Sequence, residues 1–172
     1  MMQLILGGAR SGKSRLAEQT AIQSTKAVIY IATAQAYDDE MRQRITHHQS
    51  QRPNEWKVIE EPLFLAACLQ KNDVAGQVIL VDCLTLWMSN LLMHTDPDMQ
   101  IEQCQKLLAL LPQLQSEIIL VSNETGLGVI PMGEITRKFV DESGRLHQQL
   151  GQIVDKVVFC VAGFPMILKG EK

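Results

Sequence analysis

The stretch Gly7-Gly8-Ala9-Arg10-Ser11-Gly12-Lys13-Ser14, directly after the apolar run Met2-Gln3-Leu4-Ile5-Leu6, decides the fold of this chain. It fits G-x-x-x-x-G-K-[ST], the phosphate-cradling P-loop, in the strand-then-helix setting that the pattern requires. Glycines let the backbone fold tightly, so that its N–H groups point at phosphate oxygens. On this reading Gly7, Gly8, Ala9, Arg10, Ser11, Gly12, Lys13 and Ser14 bind a nucleotide. Lys13 reaches the outer phosphates as a catalytic cation, and Ser14 holds Mg²⁺. A helix predicted over 14–23 aims its positive end at the same anion. The plain alternative is a glycine-rich turn; the flanking strand and helix argue for nucleoside-triphosphate binding.

Working outward, apolar runs of strand length recur at 4–6, 28–32, 78–81, 118–121 and 157–161, with a short candidate at 58–59. Helical patterns alternate with them, at 14–23, 38–49, 63–69, 84–93, 99–111 and 134–153. The last places Phe139, Leu146, Leu150 and Ile153 at helical spacing. The alternation predicts an α/β fold, a mainly parallel sheet with helices on both faces, formed by one domain over residues 1–172. The tail 164–168 adds a strand that Pro165 confines to an edge. Ligands on such a sheet bind beyond the carboxyl ends of its strands, and every motif discussed here follows a strand on that edge.

The bulk properties narrow the function classes. The chain has 172 residues, 46% hydrophobic and 20% charged, with a net charge of −3. That length fits one domain with a real core, and that charge gives no field to attract nucleic acid or a membrane surface. No apolar run is long enough to span a bilayer, and the N-terminal run is too short for a signal peptide. Cys68, Cys83, Cys104 and Cys160 are widely spaced with no C-x-x-C, which argues against a zinc site or a redox pair and fits a reducing cytoplasm.

A second nucleotide signal is Val78-Ile79-Leu80-Val81-Asp82, an apolar strand ending in an acid. In P-loop proteins a carboxylate there holds Mg²⁺ directly or through water, which assigns Asp82 to the metal. A third strand end, Val121-Ser122-Asn123-Glu124, runs into a loop with Gly126, Gly128 and Pro131. It reads equally as a glycine-bearing turn or as a loop carrying sensor or substrate-binding groups. No Asn-Lys-x-Asp guanine signature is present.

His47 and His48 fall late in the helix predicted over 38–49. Adjacent helical residues point about 100° apart, so the two do not serve one small site alike. Met41, Ile45 and His48 share one face, whereas His47 lies near Glu40 and Arg44 on a more polar one. His48 is therefore the inward residue. A lone inward histidine is most often a hydrogen-bonded core residue. The functional alternative is a nucleophile that attacks phosphorus and forms a phosphoramidate. His94 and His147 lack comparable context and read as surface or helix residues.

Together these residues resemble the bifunctional adenosylcobinamide kinase/adenosylcobinamide-phosphate guanylyltransferases of cobalamin biosynthesis. The resemblance rests on the P-loop, Tyr30-Ile31-Ala32-Thr33-Ala34, Asp38-Asp39-Glu40-Met41 with Arg44-Ile45 and His47-His48, Arg52-Pro53 and Trp56. It continues through Glu60-Glu61, Asp82-Cys83-Leu84-Thr85, Asn90-Leu91-Leu92, Val121-Ser122-Asn123-Glu124 and Gly144-Arg145, in order along almost the whole chain. His147-Gln148 departs from the family pattern, which has Asn before Gln. The resemblance implies a RecA-like P-loop NTPase fold, a homotrimer, and two reactions. A nucleoside triphosphate, ATP or GTP, phosphorylates the corrinoid substrate adenosylcobinamide. GTP then gives GMP to that phosphate through a guanylylated histidine, matched here by His48. It also implies nucleotide contacts at Ala32, Thr33, Ala34, Gln49, Ser50, Gln51, Arg52, Glu60 and Asp82. The competing readings are a monofunctional P-loop small-molecule kinase with a structural His48, and a nucleotide-dependent regulatory module.

Overall fold

The computed structural model describes residues 1–35 and 53–171. Among these residues seven strands form one sheet: β1 (Met2–Gly7), β2 (Val28–Ala32), β3 (Lys57–Glu60), β4 (Val78–Asp82), β5 (Glu117–Asn123), β6 (Lys156–Val161) and β7 (Phe164–Lys169). Their spatial order is β3-β2-β4-β5-β1-β6-β7. All neighbouring pairs are parallel except β6–β7. The inner strands are apolar on both faces because both faces are covered, as a parallel sheet requires. This is the RecA-like P-loop arrangement expected from the sequence, with β5 standing between the strand that enters the phosphate loop and the acid-ended β4.

Helix α1 (Lys13–Gln23) covers one face, where small residues Ala17 and Ala21 allow close approach to Ile5, Leu80 and Val121. The other face carries α2 (Leu65–Asn72), α3 (Leu84–Leu92), α4 (Met99–Leu110) and α5 (Glu134–Ile153), packed over Leu4, Ile31, Ile79 and Leu120. Leu146 and Leu150 of α5 are buried and Phe139 and Ile153 half-buried, on the face that their spacing marked. Trp87 of α3 is fully buried, and its indole N–H donates to the Leu63 carbonyl at 2.9 Å.

Two boundaries differ from the sequence reading for local reasons, and a third feature agrees with it. Helix α2 starts at Leu65, two residues later than periodicity suggests, because the Glu61 carboxylate accepts the amides of Leu63 and Phe64 in a capped turn. Helix α4 passes into a 3₁₀ turn, Leu111–Gln113, because Pro112 lacks the amide that another α-turn would use. Strand β7 is an edge strand, as Pro165 implies, and joins β6 through Ala162 and Gly163, both at positive φ. The helix expected over 38–49 lies outside the described residues.

Candidate active site

The phosphate loop leaves the end of β1 and enters α1 at a point where only glycine fits. A Cβ on Gly7 would lie 2.4 Å from Ser11 Oγ and 2.7 Å from the Cys160 carbonyl oxygen. Gly12 has φ +93°, and a Cβ there would come within 3.1 Å of Gly163 Cα. The loop is thus clasped between its own turn and the β6–β7 hairpin, whose Gly163 amide donates to the Ser11 carbonyl at 2.9 Å. Lys13 is buried, and its Nζ donates to the Gly8 carbonyl at 3.2 Å, which holds the ammonium over the loop. Ser11 Oγ is buried without a hydrogen-bond partner among the described residues, a polar atom inside the loop that suits a ligand oxygen.

Asp82 ends β4 on the same edge. Its Oδ2 accepts the Tyr30 hydroxyl at 3.0 Å. Tyr30 is in turn stacked on Trp56, with ring centroids 6.4 Å apart. Burial, aided by Asp82, pushes the neighbouring Cys83 thiol up to about 11, while Lys13 pulls the other way. Only β5 separates β4 from β1 in the sheet, so the phosphate loop and the acid emerge on one edge. The Ser14 hydroxyl on the first turn of α1 and the Asp82 carboxylate are hard oxygen donors, the chemistry that Mg²⁺ prefers. Among the described residues no group of three or more His, Cys, Asp or Glu forms a separate metal centre.

The segment Ala32, Thr33 and Ala34 runs off β2 beside this site. The Thr33 hydroxyl is committed to Cys83, donating to its carbonyl at 2.6 Å and accepting its amide at 2.9 Å. Asn90 Nδ2 donates to the Thr33 carbonyl at 2.8 Å and to the Pro62 carbonyl at 3.1 Å. Thr33 thus fastens two strand ends together, and the segment offers a ligand its backbone more than this hydroxyl. Glu60 is exposed at the end of edge strand β3, paired in register with Ala32. His48, Gln49, Ser50, Gln51 and Arg52 lie outside the described residues.

The third strand end is tied to the first. The Glu124 amide donates to the Gly7 carbonyl at 3.1 Å, and Asn123 stands opposite Gly7 in register. Behind it, His147 Nε2 lies 2.7 Å from Ser122 Oγ, Ser122 Oγ lies 3.2 Å from Thr85 Oγ1, and Thr85 Oγ1 accepts the Asn123 amide at 2.6 Å. His147 is on a helix, as expected, but on its inner side rather than in solvent. Burial holds its pKa below the ordinary value against an opposing pull from Glu124. The missed signal was periodicity: residues 143, 146, 147 and 150 form one helical face. All four cysteines are buried and free, in keeping with core packing.

The parallel sheet, the glycine-built phosphate cradle with its lysine, and the acid at the end of β4 define a P-loop nucleotide-binding protein. Within that class, the chain belongs to the CobU family, cobinamide kinase / cobinamide phosphate guanyltransferase, whose model matches residues 3–168. The bifunctional adenosylcobalamin biosynthesis protein CobP of Pseudomonas aeruginosa PAO1 is 57% identical over 171 residues, covering 99% of each chain. The bifunctional adenosylcobalamin biosynthesis protein CobU of Escherichia coli K12 is 37% identical over 182 residues, covering 98% of this chain and 100% of its own. Among solved structures, a structural-study target from Pyrococcus horikoshii OT3 superposes with a TM-score of 0.60. It covers 99% of this chain and 87% of its own at 9% identity, a likeness of fold alone.

Proposed function

We propose that this chain is a bifunctional cobinamide kinase and cobinamide-phosphate guanylyltransferase of adenosylcobalamin biosynthesis. The observation that carries the reading is the phosphate cradle of Gly7, Gly12 and Lys13, kept in a chain that matches the family from residue 3 to residue 168. In the first reaction the aminopropanol hydroxyl of adenosylcobinamide attacks the γ-phosphorus of ATP or GTP. The bond to the departing nucleoside diphosphate breaks, and the hydroxyl proton is lost. Lys13 and the loop amides neutralise the charge that develops on the phosphoryl oxygens.

In the second reaction the imidazole of His48 attacks the α-phosphorus of GTP and pyrophosphate leaves. A phosphate oxygen of adenosylcobinamide phosphate then displaces the histidine and takes the GMP group. The histidine must be neutral to attack, a state that imidazole reaches near neutral pH. The same cradle suits both reactions, since it can hold either the phosphate being transferred or the pyrophosphate that departs. Ser14 and Asp82 would hold Mg²⁺, which supplies charge neutralisation at the phosphates when bound. Gln49, Ser50, Gln51, Arg52, Glu60 and the 32–34 segment are proposed as further nucleotide contacts.

The protein is further proposed to act as a homotrimer in the cytoplasm. Among described residues, Leu127, Val129, Ile130 and Met132 of the loop before α5 are largely exposed, as are Phe164, Met166 and Leu168 of β7, and such apolar surface favours association. No helix among the described residues is long and apolar enough to cross a membrane.

Incubation with adenosylcobinamide and GTP tests the reading. Successive appearance of the phosphorylated corrinoid, then of its GDP derivative with pyrophosphate, is expected. Phosphorylated corrinoid alone would leave a monofunctional kinase, and nucleotide hydrolysis indifferent to corrinoid would leave a regulatory module.

A further inference from the structure

The buried polar chain behind β5 has a direction, and that direction depends on one proton. Thr85 and Ser122 are both buried, at 7% and 1% exposure, so their hydroxyl hydrogens need partners inside the protein. Thr85 Oγ1 accepts the Asn123 amide and meets both Ser122 Oγ and the Cys83 thiol; its own hydrogen is assigned to Ser122 Oγ. The Ser122 hydrogen then points to His147 Nε2. Assigned this way from the network, each hydroxyl hydrogen in the chain has an acceptor, and Nε2 is the bare nitrogen of a neutral imidazole. A protonated imidazole would donate from Nε2, forcing the Ser122 and Thr85 hydrogens to reverse.

The far end of the chain lies at the phosphate loop. Asn123 pairs in register with Gly7, and the next amide, that of Glu124, donates to the Gly7 carbonyl. Asn123 Oδ1 is buried and has no hydrogen-bond partner among the described residues. A polar side chain with spare hydrogen-bonding capacity, at the strand end beside the phosphate loop, is placed where ligands bind on such sheets.

We infer that His147 is a positioning residue for phosphoryl transfer: neutral, it anchors the Ser122–Thr85 hydroxyl chain that fixes Asn123 against the phosphate loop, and protonated, it loosens that anchor. The inference rests on the kinase reading above. Burial of the imidazole favours the neutral form. Helix α3 (Leu84–Leu92) brings no titratable side chain, and Cys83 at its start brings a thiol that bonds to Thr85 and that burial pushes up to about 11, so it stays protonated. Helix α4 brings Glu102 and Lys106, which pair with each other in solvent, and the buried Cys104. On α5 itself Glu142 is bonded to Arg145 and to Gln100 of α4. Glu124 favours protonation of the imidazole, and burial outweighs it.

The test reads γ-phosphate label transferred from GTP to adenosylcobinamide, which reports the kinase step alone because the label stays in the corrinoid through guanylyl transfer. His147→Gln keeps an acceptor near the Nε2 position but cannot titrate. His147→Leu removes the acceptor. For the wild type, kcat is expected to fall toward tenfold per pH unit below the imidazole pKa, with a nearly constant KM for nucleotide. His147→Gln is expected to keep the wild-type rate at pH 7.5 within about threefold and to lose that acid limb. His147→Leu is expected to lose at least about tenfold in kcat across the range.

Nitrogen NMR of the His147 ring is expected to show Nε2 unprotonated at pH 7.5, a readout that needs no activity. The same acid limb in wild type and His147→Gln would overturn the inference, as would a proton on Nε2 at neutral pH. The Gln variant and the ring spectrum decide the matter if His147→Leu does not fold. A wild type that transfers no γ-label at any pH would instead remove the kinase reading, and the inference with it.

Discussion

The amide of Gly163, at the tip of the β6–β7 hairpin, donates to the carbonyl of Ser11 at 2.9 Å, so the far side of the sheet holds the phosphate loop from outside. The same Gly163 lies against Gly12, where a Cβ would come to 3.1 Å from its Cα and crowd it. Gly12→Ala therefore meets two penalties, a positive φ and a backbone contact. It is expected to weaken nucleotide binding at least about tenfold and to cost about 1–3 kcal/mol of stability. Calorimetric titration with nucleotide and a urea melt check the two effects separately.

Lys13 is the charge held over the loop, bonded to the Gly8 carbonyl. Lys13→Ala is expected to lower the corrinoid phosphorylation rate by at least about 100-fold, because a preorganised cation at the developing phosphoryl charge is lost. The fold should survive, since α1 packs through Ala17 and Ala21 rather than through this ammonium. Single-turnover kinetics beside a thermal melt separate loss of chemistry from loss of structure.

Thr33 illustrates a candidate contact whose side chain does structural work. Thr33→Val keeps the shape but leaves the buried Cys83 amide without its acceptor. A cost of about 1–3 kcal/mol is expected. It should appear as a lower urea midpoint at unchanged slope, with nucleotide affinity at saturating stability little altered.

At the opposite edge of the sheet, Asp73 accepts the amides of Gln115 and Ser116, the latter at 2.8 Å. Burial is the largest single influence and raises its carboxyl pKa, but the bonds from Gln115 and Ser116 together outweigh it and the net shift is downward. A depressed folded pKa means that the unfolded chain binds the proton first as pH falls. The contribution is therefore fully present above the unfolded value of about 3.9 and is lost as pH drops through the folded one. Asp73→Asn should destabilise the protein by about 1 kcal/mol at pH 7, and the difference from wild type should shrink below pH 4. Urea unfolding at the two pH values measures it.

Much of the fold was legible because its signals are local. The pattern at 7–14, the acid-ended run at 78–82 and the helix at 134–153 each carry their meaning within one stretch of chain. Strand order was not legible: nothing in the run 117–123 says that it lies between β1 and β4 rather than at an edge. The Ser122–Thr85–His147 chain was missed for the same reason, since its members come from β5, α3 and α5 and meet only through packing. Thr33 was read as a nucleotide contact, and its bond to Cys83, fifty residues away, could be found only in the folded chain.

The central claim, that one cradle serves both phosphoryl and guanylyl transfer with His48 as nucleophile, is tested most directly by trapping the covalent step. Wild type, His48→Ala and His47→Ala are incubated with GTP labelled at the α-phosphate, denatured, and counted for protein-bound label. Acid-labile, base-stable label is expected in wild type and His47→Ala and absent from His48→Ala. Label that persists in His48→Ala, or a wild type that phosphorylates corrinoid but takes up none, would contradict the account.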